Sequence, residues 1–321
     1  MSTETETENA SQIDSLKERW RPRIERFRRG WDRFTQEKMG VLGIVIMVVF
    51  IFWALFPDVF APHSMEWRAY LGTEPGRLTA EQADSLPHPP AFGDPFFAPL
   101  GTNYLGQGIL TLVVHAADDA LYIGFAAGLL SSLVGVPLGL ISGFYGNTWI
   151  DETIQRVVDV MYGLPFLPFL IVLVAIRGIT TTNIILGIAV TSWLNNCIVI
   201  RGETLSLKER SYVESAKVAG ASDTRIVFRH IMPNVLPLAF VFLAQDAAAA
   251  ILAQASLAYL GLADFTANSW GLMLQNIKSN GYVFDAWWWL IPPGVCIMLI
   301  AAAFYFVGFS MEDVTNPQEE S

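Results

Sequence analysis

The sequence is poor in charged residues, and the basic ones are the scarcer kind. Its 321 residues include 20 Lys and Arg against 30 Asp and Glu, which gives a net charge of −10. Nucleic-acid-binding proteins usually carry a basic surface, so this balance argues against a nucleic-acid partner. Cysteine is scarcer still, because Cys197 and Cys296 are the only two and both lie in apolar runs. Two such thiols predict neither a disulfide framework nor a zinc site.

Catalytic and nucleotide-binding patterns are missing as well. No Lys follows a Gly anywhere in the chain, so a phosphate-binding loop of the GxxxxGK[ST] type is absent. No Ser-His-Asp or Cys-His pattern typical of a nucleophilic enzyme stands out. The sequence therefore predicts a protein that is not an enzyme and has no metal site or cofactor of its own. Any use of ATP must belong to another subunit.

Apolar residues are abundant instead. They make up 53% of the chain, and the mean hydropathy of +0.41 is too high for an ordinary soluble domain of this length. About 20 apolar residues in a helix cross the hydrocarbon core of a membrane. Six runs of suitable length occur, at 40–56, 121–144, 157–176, 183–200, 235–255 and 287–309. The predicted fold class is all-α, a polytopic membrane protein with six transmembrane helices.

These runs divide the chain into segments of different character. The predicted boundaries are a disordered acidic tail at 1–12, an amphipathic interfacial helix at 13–38, a first transmembrane helix at 39–57, an extracytoplasmic loop at 58–118, a domain of five transmembrane helices at 119–310 and a tail at 311–321. The interfacial helix is predicted from apolar residues spaced three or four apart with Arg between them, which suits an anionic membrane surface. Its basic flank places the N-terminus in the cytoplasm, and six spans return the C-terminus there.

Glycines recur at intervals of four along the second predicted span. They stand at Gly124 and Gly128, and again at Gly135, Gly139 and Gly143. Small residues at this spacing let transmembrane helices approach closely. We therefore expect close helix packing along this span.

The polar stretch 201–234 separates two strongly apolar runs and is rich in Arg and Lys. A basic loop between spans belongs on the cytoplasmic side. Its spacing predicts two short helices, of which the first carries a stripe of small and apolar residues and ends at Gly220. Ser222 is a good N-cap for the second helix, and Pro233 predicts a turn before the next span. The stripe is Tyr212, Val213, Ala216 and Ala219. This pattern alone leaves two interpretations open, a docking surface or a solvated loop.

A family resemblance bears on this choice. The run ESAKVAGASDTRIVFRHIMPN resembles the Glu-Ala-Ala, Gly, then Pro signature of permease subunits in ATP-binding-cassette (ABC) importers. Glu214, Ala216, Gly220 and Pro233 match it, and Ser215 replaces the first Ala. The segments PLGTNYLG, SGFYGNTWID, RHIMPNVLP and SWGLML are similar to the dipeptide, oligopeptide and nickel branch. The resemblance covers roughly residues 99–317.

The resemblance implies a function and a set of partners. In that family the loop is a coupling helix seated in a cleft of the ATPase subunit. The implied docking residues here are Tyr212, Glu214, Ala216, Gly220, Ser222 and Pro233. The implied partners are two ATPase subunits that bind ATP and Mg²⁺, a second homologous permease subunit, an extracytoplasmic solute-binding protein and membrane lipid. The cargo would be a dipeptide, an oligopeptide or nickel.

Asp246 is the most unusual residue inside a predicted span. A carboxylate there is costly and normally faces the bundle interior or water. It either contacts a cationic substrate group, or it is hydrogen-bonded to another helix in a structural role. Four neighbouring polar residues would line the pathway in the first case, namely Gln245, Gln254, Asn195 and Asn196. A stand-alone secondary transporter that uses Asp246 is the alternative function.

A second polar group precedes the glycines of the second span. His115, Asp118 and Asp119 fall at positions i, i+3 and i+4, which places them on one face of a helix. A metal or proton site is one interpretation, and a polar entry to the span is the other.

Overall fold

The computed structural model describes residues 34–65, 86–93 and 96–315, and this part of the chain is mostly helical. The predicted tail at 1–12 and nearly all of the predicted helix at 13–38 lie outside the described residues, as does the end of the tail at 311–321. The helices are α1 (Lys38–Leu55), α2 (Pro57–Phe60), α3 (Ile109–Phe144), α4 (Trp149–Tyr162), α5 (Phe166–Arg177), α6 (Thr181–Lys208), α7 (Ser211–Val218), α8 (Asp223–Ile226), a π-helix (Val227–Ile231), α9 (Met232–Tyr259), α10 (Trp270–Ser279) and α11 (Trp287–Thr315).

Within the described residues, five helical stretches are long and apolar enough to cross a membrane: α1, α3, α6, the continuous run from α8 to α9, and α11. The pair α4 and α5 gives a sixth crossing if it is counted as one span. This agrees with the predicted all-α class. The exception is a small hairpin in which strand β1 (Ala91–Gly93) pairs antiparallel with strand β2 (Phe96–Ala98).

The predicted third span, one run over 157–176, is instead two helices with a sharp bend between them. Its two halves, α4 and α5, meet at an angle of 89°. Pro165 has no N–H to donate and disfavours helical geometry at Leu164, so α4 ends at Tyr162 and α5 begins at Phe166. Pro168 falls in the first turn of α5, where a missing N–H is tolerated.

Helix α3 begins at Ile109, twelve residues before the predicted start at 121, so the end of the predicted loop 58–118 is helical. This first part is held by protein contacts: Trp270 Nε1 donates to Val113 O at 2.9 Å, and Asn268 Nδ2 donates to Leu112 O at 2.9 Å. The sequence prediction used hydropathy, which detects helices that contact lipid. It therefore missed residues 109–120, which include polar residues and pack against other parts of the protein.

The glycines of α3 lie at the centre of the bundle and confirm the prediction of close packing. A Cβ at Gly139 would lie 2.7 Å from Cys197 O of α6, and one at Gly128 would lie 2.7 Å from Leu243 O of α9. The two sets of glycines thus contact two different helices. Helix α3 is the central post against which both α6 and α9 pack.

The chain enters the fifth span without the turn that Pro233 predicted. Residues Asp223–Tyr259 form one helical path, interrupted only by the π-helix. In this segment Met232 N donates to Val227 O, five residues back, and Asn234 Nδ2 donates to His230 O at 2.6 Å. Wider hydrogen bonding of this kind lets a helix continue past a residue that lacks an N–H. The predicted turn was therefore wrong.

Candidate functional site

Residues 209–231, called the 209–231 segment below, connect α6 to α9 and pack one face into the bundle. Val213 of α7, Ile226 of α8 and Ile231 of the π-helix are fully buried. They share a hydrophobic cluster with Phe144 of α3 and Ile200 of α6. Full burial of such a side chain contributes roughly 1.5–3 kcal/mol. These three residues therefore fix the segment to the ends of two membrane helices.

The opposite face of the 209–231 segment is open. On α7, Val218 is 91% exposed, and Tyr212 is also exposed. Charged side chains of both signs, such as Glu214 and Lys217, stand among them. Large apolar side chains grouped on an exposed surface are typical of a protein interface. The segment therefore presents a surface that a partner could cover.

The predicted stripe on α7 is divided between these two faces. Val213 points into the bundle and Ala216 is half-buried, whereas Tyr212 and Ala219 are exposed. The small residues of the stripe therefore lie on both faces of α7, the face that packs on the bundle and the exposed face. The exposed apolar surface of α7 also includes Val218, which the stripe did not contain, whereas the exposed Phe228 lines a cavity between α3 and α9.

The break between α7 and α8 follows the prediction. Gly220 has a φ of 78°, and Ala221 N donates to Ala216 O at 3.0 Å while Gly220 N donates to Lys217 O at 2.9 Å. This is a Schellman motif, in which a residue in the left-handed region ends a helix. Ser222 then caps α8 by accepting a hydrogen bond from Arg225 N. Both local predictions are confirmed.

Arg201, predicted as part of a loop, lies within α6 and forms an ion pair with Asp151 of α4. Its Nε and Nη2 atoms approach the two carboxylate oxygens at 2.6 and 2.7 Å. The same carboxylate accepts hydrogen bonds from Ser142 Oγ at 2.5 Å and from Asn147 N at 3.0 Å. The motif SGFYGNTWID and the start of the 201–234 stretch, 50 residues apart in sequence, thus meet at one carboxylate.

Asp246 is hydrogen-bonded to two other helices. Its Oδ2 atom accepts from Ser131 Oγ of α3 at 2.6 Å and from Asn196 Nδ2 of α6 at 2.7 Å. Asn196 Nδ2 also lies 3.2 Å from Ser131 Oγ, which closes a three-residue cluster. This arrangement supports the structural interpretation of Asp246. Ser131 was missed because a small hydroxyl residue in an apolar run carries no signal for a specific partner.

The other predicted pathway residues do not join this cluster. Asn195 is exposed on the neighbouring face of α6. Gln245 lies beside Gly308 of α11, where its Cγ would be 3.7 Å from an added Cβ. Gln254 is buried about 12 Å further along α9 than Asp246. The structure therefore brings together only Asn196 and Asp246 of the five predicted residues.

His115, Asp118 and Asp119 line one cavity of about 460 Å³ at the end of the bundle opposite the 209–231 segment. His115 Nε2 lies 3.8 Å from Asp58, and Asp119 N donates to Asp118 Oδ1 at 2.7 Å. Among the described residues, no three His, Cys, Asp or Glu side chains are grouped so as to hold a metal ion. The shared helical face is confirmed, and a metal site receives no support.

Near this cavity, Asp264 closes the loop between α9 and α10. Its carboxylate accepts from Thr266 Oγ1 at 2.5 Å and from Thr181 N, at the start of α6, at 3.1 Å. The hydroxyl of Thr266, which donates to the ionised form, holds the pKa of Asp264 below its ordinary value. Asp264 thus connects the loop that follows α9 to the start of α6.

Two protein families match the sequence. Residues 135–318 match the family described as the binding-protein-dependent transport system inner membrane component. Residues 25–75 match the N-terminal transmembrane domain of oligopeptide transport permease C. Together these matches include every described membrane helix except the N-terminal part of α3.

Individual relatives cover nearly the whole chain. The dipeptide transport system permease protein DppC of Alkalihalophilus pseudofirmus is 31% identical over 300 residues, covering 93% of this chain and 92% of the relative. DppC of Bacillus subtilis is 30% identical, covering 97% and 91%. The oligopeptide transport system permease protein OppC of Bacillus subtilis is 31% identical, covering 89% and 88%.

A solved structure shares the fold. A chain of the inward-facing MetNI methionine ABC transporter aligns with a TM-score of 0.51 at 18% sequence identity. The alignment covers 65% of this chain and 97% of that one. At this level of identity the likeness shows a common fold.

Proposed function

The chain belongs to the family of binding-protein-dependent transport system inner membrane components, and from this premise we propose that it is a permease subunit of an ATP-driven peptide importer. The cargo that its relatives' names indicate is a dipeptide or an oligopeptide. Nickel, the other cargo that the family resemblance allowed, is named by none of the relatives quoted above. Membership in this family supports an importer subunit over a stand-alone secondary transporter that uses Asp246.

The observation that carries the proposal is the open face of the 209–231 segment. Val218 is 91% exposed on α7, whose other face is fixed to α3 and α6 through Val213. In our proposal this face docks on an ATPase subunit, and Tyr212, Glu214 and Ala216 contribute to the contact. Gly220 and Ser222 set the angle between α7 and α8, and Pro233 lies at the start of α9. ATP and Mg²⁺ are bound by the ATPase.

The orientation follows from the same assignment. The 209–231 segment lies at the cytoplasmic end of the bundle, as its basic residues favour. The start of α1 contacts the end of α11 at this end, since an added Cβ at Gly40 would lie 2.5 Å from Ser310 Oγ. Both termini are then cytoplasmic, and α10 faces the outside, where a solute-binding protein delivers cargo.

A second permease subunit completes the pathway in this proposal. Residues 163–165, between α4 and α5, have non-helical backbone at membrane depth and are exposed in this chain. Such backbone is tolerated only where it is buried in protein or lines a water-filled cavity. A homologous permease opposite α4 and α5 would provide both conditions. Asp246 then acts as a tie between helices, and its contribution to cargo contact is secondary.

A pull-down with matched variants tests the docking surface. The tagged chain is isolated from its own host, and the ATPase that is retained is quantified for the parent, for Val218→Glu and for Phe284→Glu. Phe284 is 95% exposed at the opposite end of the bundle, so it is the control. We expect Val218→Glu to weaken ATPase retention at least about tenfold, as for a central interface residue, with no change for Phe284→Glu.

Transport measurements complete the test. Proteoliposomes that contain the isolated complex should take up labelled dipeptide only with internal ATP and the solute-binding protein present. Uptake driven by a proton gradient with this chain alone would contradict the proposal, as would equal ATPase retention by both variants.

A further inference from the structure

The 209–231 segment is attached to the membrane bundle at two places, and these differ in character. At one end α6 finishes at Lys208, and only two residues separate it from α7. At the other end α8 runs through the π-helix into α9 without a break in the helical path. Along the backbone, a movement of the segment passes to the bundle through the end of α6, through the start of α9, or through both, in addition to the buried packing against α3.

The α6 attachment is locked by polar contacts. The Asp151 carboxylate, whose side chain is only 4% exposed, receives both arms of the Arg201 guanidinium as well as Ser142 Oγ and Asn147 N. Lys208 Nζ donates to Phe144 O, the last residue of α3, at 2.6 Å. Bidentate Arg–carboxylate pairs fix both distance and orientation. The end of α6, the end of α3 and the first turn of α4 are thus joined.

The α9 attachment has room to move. A cavity of about 610 Å³ lies between α3 and the path from α8 to α9, lined by apolar side chains such as Leu133, Leu140, Phe228 and Leu236. Among the described residues no ion pair joins α9 to α3 at this cavity, and the hydrogen bond from Ser131 to Asp246 lies further along α9. The two attachments therefore differ in their contacts: an ion pair fixes α6 near the segment, whereas the start of α9 is held by apolar packing.

The ion pair between Asp151 and Arg201 connects α6 to helix α4. It begins two residues before Asp151 and leads to the 89° bend at 163–165. Beyond Asp151, α4 contacts α6 mainly through Val158, which packs on Leu194 and Cys197. Rotation of the end of α6 would thus carry the first turn of α4 with it and shift the bend.

We propose that Asp151 and Arg201 are a positioning pair that passes movement of the 209–231 segment to the broken span formed by α4 and α5. This inference rests on the proposed function, because it assumes that an ATPase moves the segment. It assigns to the SGFYGNTWID motif the task of connecting that movement to the membrane span. Neither residue has to touch cargo or nucleotide for this task.

The test measures the position of α4 in the assembled complex and does not depend on the cargo. Spin labels are placed at Val160 of α4 and at Leu55 of α1, which are both exposed. The distance distribution is recorded for the purified complex with and without trapped ATP. Variants are Asp151→Asn, Arg201→Lys, the double variant Asp151→Glu with Arg201→Lys, and the control Glu152→Gln on the exposed neighbouring position.

We expect ATP trapping to shift α4 in the parent and in Glu152→Gln. In Asp151→Asn and Arg201→Lys with ATP trapped, the equilibrium constant for the shifted position of α4 should be about two- to thirtyfold lower than in the parent. This is the range expected for a residue that carries coupling. The ATPase should stay bound and active in each. The double variant, which keeps the ion pair with one longer and one shorter side chain, should recover part of the shift.

Other outcomes overturn the inference. If α4 shifts as far in Asp151→Asn and Arg201→Lys as in the parent, the pair does not carry the movement. If α4 stays in place in the parent complex, there is no movement for the pair to carry. A purely structural role would lower the yield of complex and leave the α4 equilibrium of the assembled molecules unchanged. Failure of the ATPase to bind the parent chain would instead refute the proposed function itself.

Discussion

Replacing Asp246 separates a tie between helices from a charged transport site. Both of its hydrogen-bond donors converge on a single oxygen, Oδ2, with Ser131 Oγ at 2.6 Å and Asn196 Nδ2 at 2.7 Å. Asp246→Asn can place a carbonyl oxygen at this point and keep both hydrogen bonds without the negative charge. Asp246→Ala removes the acceptor altogether. The two variants thus differ in hydrogen bonding, whereas they lose the same charge.

The expected magnitudes follow from this geometry. Interhelical hydrogen bonds in membranes contribute about 0.6 kcal/mol on average and up to about 1.7 kcal/mol each. Loss of two bonds in Asp246→Ala should therefore lower the free energy of unfolding by about 1–3 kcal/mol. The value should lie towards the lower end, because Asn196 Nδ2 still reaches Ser131 Oγ at 3.2 Å. Asp246→Asn should cost less than about 1 kcal/mol.

The assay is reversible unfolding in mixed detergent micelles, with ATP-driven uptake measured on the same preparations. Gln245→Ala is the control, since Gln245 faces Gly308 of α11 and takes no part in the cluster. We expect Asp246→Asn to unfold and transport like the parent. If Asp246→Asn loses uptake of a cationic peptide while its stability is unchanged, the charge itself is needed and the account of Asp246 as a purely structural tie is refuted.

Three further predictions test local features. The Gly220→Val variant should still insert in the membrane but retain less ATPase, because a β-branched residue at φ 78° destabilises the break between α7 and α8 by at least about 1–2 kcal/mol. ATPase retention equal to that of the parent would count against a role of this break in docking. Gly139→Val should lower the free energy of unfolding by about 1–3 kcal/mol, because its side chain would meet Cys197 O of α6. The control Gly202→Ala has open space around it and should be neutral or stabilising. Equal losses of stability in the two variants would contradict close packing at Gly139. Asp264→Asn should destabilise the protein at neutral pH and progressively less in acid. The pKa of Asp264 is lowered in the folded state, so its stabilising effect is present above its ordinary value near 3.9 and is lost as the pH falls through the folded value. A difference in melting temperature that does not change with pH would contradict this.

The sequence alone determined the features that depend on neighbouring residues. Hydropathy over windows of about 20 residues located the crossings, because lipid selects apolar side chains along the whole length of a span. Gly220 and Ser222 specified the break between α7 and α8, since a left-handed C-terminus and an N-cap are set by backbone preferences within one turn. The spacing of Gly135, Gly139 and Gly143 indicated close packing, although it did not say which helix approaches them.

The tertiary structure decided everything that joins distant parts of the chain. Asp151 and Arg201 are 50 residues apart, and Ser131 and Asp246 are 115 apart, so only the packing of α3, α4, α6 and α9 brings them within hydrogen-bond distance. Polar residues carry no period that would reveal such partners. The effects of individual prolines on the backbone were also not predictable from the sequence. The helix ended before Pro165, whereas the helical path continued past Pro233 through a π-helix. The difference lies in the surroundings, because buried neighbours such as Ile226 and Ile231 hold that helix together, while residues 163–165 have no such cover within this chain.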